Sequence, residues 1–147
     1  MKRLLFVLVA SFAIQMAVAQ IRKIPSEVTN AFAAKYPEAK DVEWKDNMSN
    51  FSARFMSANS TKCEASFNGK GKWQSTEEIL QETALPAEVK DGFSKSKYSD
   101  REVTEVVKIQ KNEGETRYRL LVKKNNVEKK YLYFNEGGKL VKESVTL

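Results

Sequence analysis

The sequence has no histidine and only one cysteine, Cys63, in 147 residues. Without imidazole the chain lacks the commonest general base and the commonest nitrogen ligand for a metal near neutral pH. A lone thiol excludes an internal disulfide and any thiolate-rich zinc or iron–sulfur centre. Six glycines and three prolines are too few for a collagenous or low-complexity chain. What is present is ordinary for a globular domain: 41% hydrophobic and 30% charged residues, enough to fold around a core.

The first residues read as an export signal. Met1, Lys2 and Arg3 give a positive start, Leu4 to Val18 is apolar except for Ser11 and Gln15, and Ala17-Val18-Ala19 offers small residues where a signal peptidase reads. Cleavage is expected before Gln20. The apolar stretch is shorter than the ~20 residues needed to cross a bilayer, and no cysteine follows to carry a lipid. The expected product is periplasmic or secreted, with no stable membrane anchor. Loss of Lys2 and Arg3 lowers the formal charge from +6 to +4. Residues 20–84 hold 9 basic and 9 acidic side chains, whereas residues 85–147 hold 14 and 10, so the excess sits in the second half. An exported chain rarely meets nucleic acid and no motif supports such binding; the bias reads first as a solvated face and second as steering of a partner.

An internal repeat organises the remainder. Ile24-Pro25-Ser26-Glu27-Val28 is echoed by Leu85-Pro86-Ala87-Glu88-Val89, with Phe32 matched by Phe93 and Tyr36 by Tyr98. Phe67-Asn68-Gly69-Lys70-Gly71-Lys72 is echoed by Phe134-Asn135-Glu136-Gly137-Gly138-Lys139. The domains expected are a signal over 1–19, one unit over 20–84 and a second over 85–147. Each unit opens with a proline at the start of a helix, where the missing N–H costs nothing. Val28, Ala31, Phe32 and Tyr36 then recur at helical spacing; Val89 and Phe93 repeat the stripe, weakened by Gly92.

Period-two alternation follows each helix. Strands are expected near 40–45, 51–57, 61–68 and 72–75, then 102–111, 115–123, 127–135 and 139–146, joined by hairpin turns. Ser75 and Glu78, spaced as a capping box, suggest a short helix over 75–82. The fold class is α+β: two tandem helix-plus-four-strand antiparallel units, sharing one eight-stranded sheet with both helices on one face. A ~60-residue unit is marginally stable alone, which favours the shared sheet.

Two copies of a Leu/Ile-Pro-x-x-Val helix and a four-strand meander, with Lys35-Tyr36-Pro37-x-Ala39-x-x-Val42-x-Trp44 and the two Phe-Asn-x-x-Gly-Lys turns, resemble the PepSY-like, beta-lactamase-inhibitor-like family. The resemblance covers nearly all of the mature chain. It implies a small secreted or periplasmic protein of the Bacteroidetes type, with a fold similar to that of a beta-lactamase-inhibiting protein that grips its target with a sheet face. Related PepSY domains occur in protease propeptides. The second unit departs from the pattern, with Lys97-Tyr98-Ser99 for Lys-Tyr-Pro and valines in place of the tryptophan.

Alternation also assigns faces. Trp44, Phe51, Ala53, Phe55, Cys63, Ala65, Phe67 and Trp73 form the apolar set of the first unit, opposite a polar set that includes Glu43, Arg54 and Glu64. In the second unit Val106, Tyr118, Leu120, Val122, Leu132, Phe134 and Leu140 are expected inside. The reverse face then carries Val107, Ile109, Arg117, Arg119, Leu121, Tyr131, Tyr133, Val141 and Val145. Tyrosine and arginine combine contact area with hydrogen-bonding ends, the composition favoured at protein interfaces. Arg117, Arg119, Leu121, Tyr131 and Tyr133 are therefore the candidate partner-binding residues; the competing reading buries the tyrosines in a core.

No catalytic constellation is evident. Cys63 lies in an alternating apolar strand with no histidine to activate it, the carboxylates lack the spacing of a calcium loop, and the glycines answer to hairpins. No cofactor and no metal are expected. The function expected is a non-catalytic exported module that binds an envelope or secreted protein, with an inhibitory role open. The alternative is a sensor or binder of a small anion or glycan through the arginines and tyrosines.

Overall fold

The computed structural model describes residues 23–125 and 127–146; the expected signal, 1–19, lies outside them. The chain runs α1 (Ser26–Lys35), β1 (Lys40–Asp46), β2 (Phe51–Met56), β3 (Lys62–Phe67), β4 (Trp73–Leu80), a 3-10 turn at Glu82–Ala84, α2 (Ala87–Ser94), β5 (Glu102–Lys111), β6 (Thr116–Lys123), β7 (Lys129–Asn135) and β8 (Leu140–Val145). All eight strands pair antiparallel in sequence order in one sheet. Helix plus four strands thus occurs twice, and β4 against β5 joins the halves.

Both helices begin at a proline whose carbonyl accepts the first two helical N–H groups: Val28 and Thr29 donate to Pro25, Val89 and Lys90 to Pro86. Each then buries one stripe on the same face of the sheet. Under α1, Val28 and Phe32 meet Phe51, Ala53, Phe55, Ala65 and Phe67. Phe32 is the hub, its ring centroid 5.1 Å from Phe55, 5.2 Å from Trp44 and 5.3 Å from Tyr36. Under α2, Val89 joins Leu85, Tyr98, Val106, Tyr118, Leu120, Val122, Leu132 and Phe134. Val106 supplies the second core where Trp44 supplies the first. Every residue expected inside the second unit packs there, Leu140 at its edge.

Two hairpins press against the helices they follow. Gly71 and Gly138 both have φ of +76°, and a Cβ on them would sit 2.4 Å from the Glu27 carbonyl oxygen and 1.9 Å from that of Glu88. Only glycine allows both the left-handed backbone and that approach. Gly92, which weakens α2 by propensity, is required for the same reason, because a Cβ there would lie 1.8 Å from the Gly138 oxygen.

Three expectations need correction. Residues 75–82 do not form a helix: β4 extends from Trp73 to Leu80, leaving only the turn at Glu82–Ala84. An interior strand paired on both sides, to β3 and β5, outweighs a local capping pattern. Second, Val145 faces the helices, opposite Lys130, and Val141 sits at a bulge between the Tyr133–Lys142 and Phe134–Leu140 pairs. The extra residue reverses the alternation beyond it, so Lys142 and Ser144 take the outer face instead. β4 has an equivalent bulge after Trp73, opposite Phe67. Third, Val107 and Ile109 lie on the outer face as expected, but are only 2% and 8% exposed. Their strand is central, and polar side chains close over them.

Candidate binding site

The register of β5, β6 and β7 brings the candidate residues together on the face away from both helices. Arg119 pairs with Val107 on one side and Tyr133 on the other, Leu121 with Glu105 and Tyr131, and Arg117 with Ile109 and Asn135. Their alternates Leu120, Leu132 and Phe134 are fully buried beneath α2. Tyr131 and Tyr133 are therefore not helix-side core residues, and all five candidates are half-buried.

Arginine charge on this face is already engaged. Arg119 reaches across β5 to Glu77 on β4, with Nη2–Oε2 at 3.1 Å, and approaches Glu105 at 3.7 Å. Its guanidinium lies 5.3 Å from the centroid of the Tyr131 ring, while its buried Nε has no hydrogen-bond acceptor. This span crosses the Val107–Ile109 segment and explains its burial. Arg117 Nε meets Glu115 Oε1 at 2.5 Å, and that hydrogen bond, aided by Lys111, holds the Glu115 carboxyl below the usual carboxylate range. Lys142 stands 5.3 Å from the Tyr133 centroid. The first unit's half of the face is polar: Glu43 opposes Arg54 in the register, and Arg54 Nε closes on Glu64 Oε2 at 2.9 Å.

A groove of about 590 Å³ opens on the outer face where the two halves meet. Arg54 and Glu64 form one side, Arg119 and Glu105 the other, and Ile79 and Val107 lie between them. Sequence reading missed Glu77, Glu105 and Ile79 as part of this surface. Glu77 and Ile79 were hidden by assigning their segment to a helix; extended alternation over 73–80 was the signal that would have found them.

Elsewhere the chemistry is quiet. Cys63 lies on the helix face, half-buried, its Sγ 3.7 Å from the Thr61 carbonyl oxygen. Burial pushes the thiol up, and the Glu78 carboxylate adds to the shift. Among the described residues no three histidine, cysteine or carboxylate side chains gather as a metal site, and no helix is long and apolar enough to cross a membrane.

An open antiparallel sheet with helices on one side and a mixed aromatic, charged surface on the other defines a scaffold that offers a whole sheet face. The chain belongs to the family described as "Putative beta-lactamase-inhibitor-like, PepSY-like", whose profile matches residues 49–142. A BLIP-like protein from Bacteroides fragilis is similar at 29% identity, with a TM-score of 0.75 over 83% of this chain and 86% of that one. A DUF2874 family protein from Bacteroides ovatus is similar at 25% identity and a TM-score of 0.79, covering 84% and 88%. A protein from Bacteroides eggerthii, provisionally described as periplasmic, shares the fold at 23% identity and a TM-score of 0.78, over 84% and 89%. Comparison with curated proteins finds no match.

Proposed function

We propose that this protein is a non-catalytic binding module, exported to the periplasm or beyond, that engages an envelope or secreted protein through its outer sheet face. The observation that carries the reading is the grouping of Leu121, Tyr131, Tyr133 and Arg119 on one face beside an open groove, with the two helices packed on the opposite face. Large rigid tyrosines beside an arginine and apolar neighbours are the anchors that interfaces favour. Membership of a beta-lactamase-inhibitor-like family supports a binding role, and an inhibitory outcome is the form of it we favour. The signal-like pattern over 1–19 and the description of the Bacteroides eggerthii relative support export. In the same reading residues 20–84 and 85–147 are duplicate units, the second of which carries the binding surface. A small-anion or glycan site gains no support, because both arginines that would meet the ligand are paired with carboxylates.

The test is crosslinking of the mature protein to its native envelope fraction, beside the Tyr131→Ser/Tyr133→Ser double variant. The expected result is one stoichiometric protein partner with the wild type and none with a variant that keeps its fold. Unchanged capture by the folded variant overturns the assignment of this face, and turnover abolished by a single serine or carboxylate replacement overturns the non-catalytic reading.

A further inference from the structure

The outer-face groove has a charge opposite to that of the chain. The sequence carries a formal charge of +6, yet the groove is lined by five carboxylates against three cations. Two of those cations are committed: Arg54 to Glu64 at 2.9 Å and Arg119 to Glu77 at 3.1 Å. Glu105 is held only at 3.7 Å by a guanidinium whose nearer partner is Glu77. Glu43 faces Arg54 in the register, but Arg54 has closed on Glu64. Between these acids Ile79 is 46% exposed, a large apolar side chain beside buried Val107. Lys62, the third cation, lines the groove as well, so the excess is two carboxylates; that excess over an apolar floor suits a long aliphatic stem ending in a positive charge.

We propose that the groove receives an extended, cationic segment of the protein partner, with the methylenes of one lysine or arginine on Ile79 and its charged head at Glu105, and a second basic side chain directed toward Glu43 on the far rim. This inference rests on the reading that the outer face binds a protein. An acidic segment would meet like charge, and a purely apolar one would strip water from carboxylates without replacing it. A cation avoids both costs and adds to charges that Arg54 and Arg119 leave incompletely balanced. The tyrosine cluster beside the groove would supply the rest of the contact area.

The experiment titrates 15N-labelled mature protein with acetyl-Gly-Ala-Lys-Ala-Arg-Ala-Gly-amide, and with analogues carrying norleucine or glutamate at both charged positions. The expected result is that the basic peptide alone shifts the amide signals of Ile79, Glu105 and Val107. Its affinity should fall at least about threefold in the Glu43→Gln/Glu105→Gln variant, and further when added salt shortens the screening length to about 3 Å. The proposal is overturned if the norleucine or glutamate peptide shifts the same signals as strongly, if the shifts spread over acidic surface outside the groove, or if millimolar basic peptide shifts nothing. Groove shifts without loss of partner capture in the tyrosine variant would sink only the assignment of the tyrosine face. Tyrosine-dependent capture without groove shifts would sink only the cationic occupant.

Discussion

Arg119 on β6 and Glu77 on β4 form an ion pair at 3.1 Å across the intervening strand β5, joining the first half of the chain to the second. Neither strand neighbours the other in the sheet, so the pair is a tertiary contact over the β4–β5 seam. Its ends keep 22% and 39% of their side-chain exposure, and the interaction is weakened by water accordingly. Replacing Glu77 with alanine leaves Glu105 as a reserve partner and should cost about 1 kcal/mol. Removing both carboxylates leaves the guanidinium half-buried and unpaired, and should cost about 2 kcal/mol. Arg119→Met retains the stem over Val107 and should stay within about 1 kcal/mol of wild type. Urea unfolding of the three variants checks this ranking.

The glycines should separate by what surrounds them. Alanine at Gly71 or Gly138 forces both a left-handed backbone and a clash with a helix carbonyl; each should cost more than about 2 kcal/mol. Gly92→Ala should behave similarly despite its gain in helix propensity, because the Gly138 oxygen fills the space. Gly114 has φ of +78° but open surroundings, so alanine there should cost only about 1–2 kcal/mol. Thermal unfolding of the four single variants would reveal an error if Gly92→Ala were stabilising.

Acid should loosen the second core from its edge. The buried Tyr98 hydroxyl donates to Glu143, Lys97 bonds the same carboxylate at 3.1 Å, and together they lower Glu143 to about 2. A carboxyl depressed on folding contributes stability that is present above its unfolded value near 4.5 and is lost as pH falls toward 2. Unfolding midpoints measured between pH 6 and pH 2 should fall less steeply for Glu143→Gln than for wild type. Parallel curves for the two proteins would show that this carboxylate contributes no pH dependence.

Cys63 should react slowly. Its thiol is shifted upward by burial and then by Glu78, so the thiolate is scarcer at a given pH than in the unfolded chain. Alkylation by iodoacetamide at pH 8 should be at least about tenfold slower in the native protein than in denaturant. Equal rates would place the sulfur in open solvent.

Much of this was legible in the chain itself. The proline-initiated helices, the stripe through Val28 and Phe32, and seven of the eight strands follow from periods of 3.6 and 2, because each element has one face buried in a continuous core. The repeated Phe-Asn-x-x-Gly-Lys hairpins were readable for the same local reason. The resemblance of those motifs to a PepSY-like family is matched by the profile over residues 49–142. The second half of β4 was misread because Ser75-x-x-Glu78 satisfies a helix-capping rule in isolation, and the chain cannot announce that strands will pair on both sides of it.

Periodicity and turn chemistry therefore determined both helices, seven of the eight strands and the alternation that sets Tyr131 and Tyr133 opposite Leu132 and Phe134, since each is a property of neighbours along the chain. Tertiary structure alone decided that Gly138 must clear the Glu88 carbonyl, that bulges turn Val145 toward the helices, and that Arg119 spends its charge on Glu77. Those outcomes depend on groups far apart in sequence meeting at fixed distances, and a groove with a net negative lining arises only when both halves share one sheet.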